Sequence, residues 1–300
     1  MNAFKYLADH GPVLRGLGKT TLGAVQQGVA QLMGSPAPAR DTRPPGPGPE
    51  LTAVLPPRRA ALVQDYLRHV GGDRAGKSLP PHLFPQWAFG LAAETLIGIP
   101  YPIAKVMNGG CSVTVAAPLP ADEPLHVRVC LESIDDDGRR AVLCQRVITG
   151  TPSSPDALTA RLYAVVPLGD PKAPKKAGGS RERPRVPAGA RELARWRLPA
   201  NAGLDFAALT GDFNPVHWIA PYARAFGFKN TILHGFSTMA RAWEGVQRHL
   251  WVGTREIAAW DVKFTRPLVL PARVGLYVAG DTVAVGDAPG GPAYMLGTFK

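Results

Sequence analysis

The strand pattern of this chain occurs twice. Val113-Thr114-Val115-Ala116-Ala117-Pro118-Leu119 lines up with Val262-Lys263-Phe264-Thr265-Arg266-Pro267-Leu268, and each is a strand stopped by Pro-Leu. In the next alternating segment Leu125, Val127 and Val129 match Val274, Leu276 and Val278. Period-two alternation puts such side chains on one face of a sheet. An apolar helix precedes each unit, Trp87–Ile97 in the first and one near 234–250 in the second. A unit of one helix and several strands, used twice, is the simplest architecture with this order.

The first unit also predicts strands at 125–134, 139–149 and 159–168, with a hairpin turn at Asp135–Gly138. The second predicts strands near 256–266, 272–280 and 293–299. Pro- and Gly-rich stretches separate the pieces. Residues 1–49 read as an N-terminal extension, weakly helical over 1–35 and ending in a Pro-rich linker. Residues 50–168 form the first folded region, 169–189 a basic Pro/Gly-rich linker, and 190–300 the second folded region. At about 150 residues per domain, a chain of 300 residues accommodates this division.

Hydrophobic residues are 45% of the chain and charged residues 19%, which excludes disorder throughout. No apolar run is long enough to span a membrane as a helix, and residues 1–12 lack the apolar core of a secretory signal. The three cysteines, Cys111, Cys130 and Cys144, are odd in number and form no CxxC, so neither a disulfide framework nor a zinc site is expected. A reducing, cytoplasmic compartment fits. The net charge of +11 suits an anionic partner: nucleic acid, anionic lipid, a phosphorylated cofactor or an acidic carrier protein.

The chemistry concentrates in Leu209-Thr210-Gly211-Asp212-Phe213-Asn214-Pro215-Val216-His217. One reading is purely structural: Asn214 caps a helix that Pro215 begins, and Gly211 permits a tight turn. The other is catalytic. The turn bends the chain so that a carboxylate and an imidazole converge, a pair able to hold a water and move protons. His234-Gly235 then opens a helix whose first amide can meet developing negative charge. Phe213, Trp218, Phe226, Phe228, Phe236 and Trp243 surround the segment with apolar surface.

LTGDFNPVHWIAPYARAFGFKNTILHG resembles the hydratase-2 motif of MaoC-like, (R)-specific enoyl-CoA hydratases: Gly-Asp-x-Asn-Pro-x-His, a small residue (Ala223), then His-Gly at a helix start. Direct resemblance covers about 198–280, and the repeat extends it to 60–300. It implies an α+β double hotdog, two repeats of a long helix wrapped by a curved antiparallel sheet. It implies a hydro-lyase that interconverts trans-2-enoyl and (3R)-hydroxyacyl thioesters carried on coenzyme A or acyl carrier protein. Asp212 and His217 would be the acid/base pair, Asn214 would order their loop, and the Gly235 amide would polarise the thioester carbonyl. Phe213, Phe236, Lys263 and Arg266 would contact substrate, with Arg224 and Lys229 as further basic candidates. No metal and no redox cofactor is implied.

The first repeat lacks Asp-x-Asn-Pro-x-His. Gly72-Asp73 falls in the comparable region but no Asn-Pro or His follows, and Phe84-Pro85 stands where the second repeat has His234-Gly235. A proline there has no N–H to donate. The first half reads as a degenerate hotdog completing a pseudo-dimer, with His82 and Glu94 as structural or surface residues. A monomer or a homodimer of such chains is expected. The alternatives are a non-catalytic acyl-thioester-binding protein and a hotdog thioesterase. Nucleic-acid binding through the linker is disfavoured because no recognisable nucleic-acid module occurs.

Overall fold

The computed structural model describes residues 5–11, 18, 47–73, 76–103, 106–168, 183–251 and 256–300. The weak helix read over 1–35, the Pro-rich linker and the basic linker fall largely outside them.

The first half contains β1 (Leu51–Leu55), α1 (Ala60–Val70), α2 (Pro85–Glu94), β2 (Met107–Val115), β3 (Leu125–Asp136), β4 (Arg140–Gly150) and β5 (Leu158–Pro167). The second contains β6 (Arg191–Leu198), α3 (Ala202–Thr210), α4 (Ala220–Ala225), α5 (Gly235–Val246), β7 (Ala259–Phe264), β8 (Ala272–Ala279), β9 (Thr282–Gly286) and β10 (Ala293–Phe299). The single helix expected per unit is corrected to two, α1 with α2 and α3 with α5, and the second half adds the short α4. The strands β1, β6 and β9 also went unread. β1 and β9 are five residues each, and β6, RELARWRL, is largely charged and half-solvated, so its alternation is faint.

All ten strands join one sheet in the order β1-β3-β4-β5-β2-β7-β10-β9-β8-β6, which reads the same from either end once the halves are equated. The halves meet where β2 and β7 pair antiparallel. The repeat offset that sets Val113 on Val262 also sets Ser112 on Asp261, and those two are register partners in that pair. The sequence repeat is thus a structural pseudo-dyad lying between Ser112 and Asp261.

Inward strand positions and the helices share one continuous core that spans both halves, including Trp87, Val113 and Val127 from the first and Trp243, Trp260 and Leu276 from the second. Truncating a buried aromatic of this size costs ~3–5 kcal/mol, so the halves hold each other. The sheet's outer face is covered locally by Leu96, Ile99, Tyr101 and Ile103 in the first half and by Val186 and Ala190 in the second. The fold is therefore α+β, a double hotdog. All three cysteines are buried free thiols. Among the described residues no helix is long and apolar enough to cross a membrane.

His82 is not a surface residue. It is buried, its Nε2 lies 2.7 Å from Glu244 Oε1, and its Nδ1 lies 2.9 Å from the Tyr66 hydroxyl. It links the two halves through a polar contact inside the core.

Candidate active site

α3 is short and apolar, and it stops because Gly211 takes φ +82°, a left-handed conformation that glycine adopts without strain. The Gly211 N–H returns to the Ala207 carbonyl at 2.8 Å. The chain then reverses through Asp212 and Phe213. Asp212 Oδ1 accepts from the Asn214 N–H at 3.3 Å, and Asn214 Oδ1 accepts from the Val216 N–H at 3.2 Å. Asn214 is the N-cap and Pro215 the first residue of a single 3-10 turn, Pro215–His217. The structural reading of this segment and the catalytic one therefore use the same atoms: the cap is what delivers His217.

The extended stretch Thr231–Leu233 fastens the loop from the other side. The Leu233 N–H donates to Leu268 O and the Leu270 N–H to Thr231 O, each at 2.8 Å. Ile232 accepts His217 Nδ1–H at 2.8 Å. A neutral His217 must then carry its proton on Nδ1, which leaves the Nε2 lone pair for a reacting group. Burial pushes the His217 pKa down, opposed by the nearby Asp212 charge and by the Ile232 carbonyl. The ring is neutral near pH 7 and competent as a base.

His234 had no role assigned beyond the motif. It is buried, and its ring stacks on His217 with centroids 3.5 Å apart and an interplanar angle of 24°. Its Nε2–H donates to the Asp212 backbone carbonyl at 3.0 Å, and the Asp212 Oδ2 lies 3.8 Å away. Burial, reinforced by His217, holds its pKa well below the ordinary value. A neutral imidazole thus braces both members of the pair without adding charge. The contact spans 22 positions in sequence, so only the His-Gly spacing of the motif pointed to it.

One nitrogen each from His217 and His234 and a carboxylate oxygen of Asp212 lie within 4.8 Å of one another, close enough to hold a metal ion. The donor set fits an ion poorly. The two rings stack face to face, so their in-plane lone pairs run nearly parallel rather than converging on a common point. The same proximity suits a water held between two proton acceptors.

Gly235 starts α5, and first-turn helix amides have no intrahelical acceptor. A Cβ at Gly235 would sit 2.6 Å from the Phe264 ring, so any side chain there displaces β7 or the helix start. Phe236 is buried and packs edge-on against Phe84, Phe89 and Phe264. Phe213 is half-buried, and its carbonyl accepts from Trp218 Nε1 at 3.1 Å. Lys263 is exposed and, one residue from Phe264 on β7, faces the opposite side of the sheet. Arg266 is half-buried beyond the strand end, and its Nε is buried with no partner among the described residues. Arg224 and Lys229 are exposed on and after α4. The structure thus gathers Asp212, Asn214, His217, His234 and Gly235, and leaves Lys263 apart.

Known proteins resemble this chain in sequence and fold. The family model for the MaoC-like domain matches residues 191–288. The chain is 27% identical over 216 residues to 3-hydroxyacyl-thioester dehydratase X of Mycobacterium tuberculosis, covering 70% of this chain and 73% of that protein. It is 32% identical over 145 residues to enoyl-CoA hydratase ChsH3 of the same organism, covering 47% and 49%. The crystal structure of HtdX from Mycobacterium tuberculosis matches in fold with a TM-score of 0.68 at 21% identity, covering 84% of this chain and 99% of that one. The chain folds as a double hotdog, and residues 191–288 within it match the MaoC-like domain.

Proposed function

We propose that this protein is a hydratase/dehydratase that adds water to trans-2-enoyl thioesters, and removes it, through Asp212 and His217. The carrying observation is the fixed tautomer of His217, whose Nδ1 is held by Ile232 so that Nε2 keeps its lone pair, on a ring with a nitrogen within 4.8 Å of an Asp212 carboxylate oxygen. A water held between two such acceptors yields hydroxide to C3 of the enoyl group, and the proton it gives up is returned to C2. The reverse order expels water from a (3R)-hydroxyacyl thioester. The Gly235 amide meets the charge that develops on the thioester oxygen. Neither a metal nor a redox cofactor takes part, so chelators leave turnover unchanged. Similarity to a 3-hydroxyacyl-thioester dehydratase and an enoyl-CoA hydratase supports this reading.

The basic charge suits a coenzyme A or carrier-protein substrate, with Arg266 the best placed cation. Free buried thiols fit a reducing, cytoplasmic setting. Because each chain contains its own pseudo-dimer, a monomer or a homodimer suffices.

The test follows the enoyl-thioester ultraviolet absorbance with trans-2-enoyl-CoAs of several lengths. The expected result is loss of absorbance without release of free thiol, reduced about 10²–10⁴-fold in Asp212→Ala and in His217→Ala. Loss accompanied by free thiol means thioester hydrolysis instead. Binding without turnover on CoA and carrier-protein substrates leaves a non-catalytic acyl-binding protein.

A further inference from the structure

The N-terminal extension was the part of the sequence with no assigned purpose, yet Lys5–Gly11 is built into the base of the catalytic loop. Tyr6 is buried, and its hydroxyl donates to Asp65 Oδ2 at 2.6 Å and lies 2.9 Å from Ala61 O on α1. Lys5 pairs with Asp65 at 2.7 Å and Arg59 with Asp9 at 3.1 Å. These contacts deliver His10, which is fully buried, to the end of α3.

There His10 Nε2–H donates to the Ala208 carbonyl at 2.9 Å. That carbonyl is one of those a helix leaves unpaired at its C-terminus. The Nδ1 of His10 faces the Gln86 amide N–H at 3.4 Å, and Gln86 Oε1 accepts from Arg58 at 3.2 Å. Arg58 and Gln86 are themselves buried. A chain of donors therefore runs Arg58 to Gln86 to His10 to Ala208, and it fixes His10 as the Nε2–H tautomer. The His10 ring also lies against Gly211, where a Cβ would sit 3.0–3.2 Å from its atoms. The turn carrying Asp212 is thus held at Ala208 O by one neutral imidazole and at Asp212 O by another, His234.

We infer that His10 is a positioning residue of the active site, setting the Gly211–Asp212 turn and through it the Asp212 carboxylate. The inference rests on the hydratase/dehydratase reading for its kinetic consequence but not for its geometric one. A carboxylate displaced by about 1 Å loses about 10²-fold in rate, whereas substrate affinity does not depend on that alignment.

The experiment compares wild type, His10→Ala and His10→Gln in the full chain. A glutamine amide can place an N–H near the Nε2 position and an oxygen toward Gln86. Two readouts are taken, kcat against KM on trans-2-enoyl-CoA and amide hydrogen exchange over residues 211–217. The expected result for His10→Ala is a kcat lowered about tenfold or more with KM within about twofold, and faster exchange over 211–217 but not in β3 or β8. His10→Gln recovers most of both. Wild-type kcat and unchanged exchange in His10→Ala overturn the inference, as does equal loss in the two variants. If wild type turns over no enoyl thioester, the hydratase reading fails. The exchange data then decide the role of His10 alone: local loosening rescued by Gln supports it, and no change overturns it.

Discussion

The two hotdogs of this chain share one topology, and they part company at one turn. α1 and α3 both end on a left-handed glycine, Gly71 at φ +86° and Gly211 at φ +82°, each sending its N–H back to the carbonyl four residues earlier. Counted from these two glycines, Gly72 rather than Asp73 corresponds to Asp212. Beyond the turn, 71–84 is all that separates α1 from α2, while 211–234 separates α3 from α5. The longer connection holds the Asn-Pro cap, His217, α4 and the stretch that clamps His217. The first half then begins its helix at Pro85, which has no amide proton, where the second begins at Gly235. The half that carries Asp212 and His217 differs from its twin by one carboxylate, one loop and one N–H.

The sharpest way to break this comparison is to move the carboxylate. Asp212→Asn should lower turnover about 10²–10⁴-fold, and adding Gly72→Asp to it should restore none. A Cβ at Gly72 would sit 2.8 Å from both Glu244 Cδ and a Leu67 methyl carbon, so a side chain there must push those two aside, and no His217 equivalent follows it. Asp73→Asn is the control. Its carboxylate sits on the surface with Arg248, and activity and denaturation midpoint should match wild type. Recovery of turnover by Gly72→Asp would show the halves to be interchangeable.

Acid should separate the halves next. Burial lowers the pKa of His10, His69, His217 and His234, that of His69 to about 3. Below the unfolded value near 6.5 the unfolded chain takes up protons that the folded one refuses, so stability falls as pH falls. Each such histidine contributes up to about 1.4 kcal/mol per pH unit until its folded pKa is passed. Urea midpoints measured from pH 7 to pH 5 should therefore fall, and His69→Gln should flatten the slope without affecting wild-type turnover at pH 7. A slope unchanged in that variant would mean that His69 is protonated in the folded protein.

The smallest effect concerns the seam. Glu244→Leu removes the acceptor of the buried His82 and should cost about 1–3 kcal/mol of stability, read as a lower urea midpoint, with kcat unchanged. A drop in kcat equal to that of the catalytic variants would show that the cross-half contact also sets the site.

Much of this was legible in the linear sequence, for definite reasons. Alternation at Val113 and Val115 or Val274, Leu276 and Val278 reports a half-buried sheet face, because period two is a local property. Gly211, Asn214 and Pro215 report a turn because each has a distinct backbone chemistry. Strands such as β6, whose stability comes from a partner rather than from their own apolar face, gave no such signal. Neither did α1, whose left-handed glycine stop matches that of α3 in backbone geometry.

The amino-acid order by itself determined the strand repeat and placed the Asp-x-Asn-Pro-x-His segment in one half only, because those depend on neighbours within a few residues. Only the tertiary structure decided the tautomer of His217, the stacking of His234, the crowding of Gly72 by Glu244 and Leu67, and the arrival of His10 at Ala208, 198 positions away. Those depend on which carbonyl or methyl group the fold brings within a few ångströms, and no local pattern encodes that.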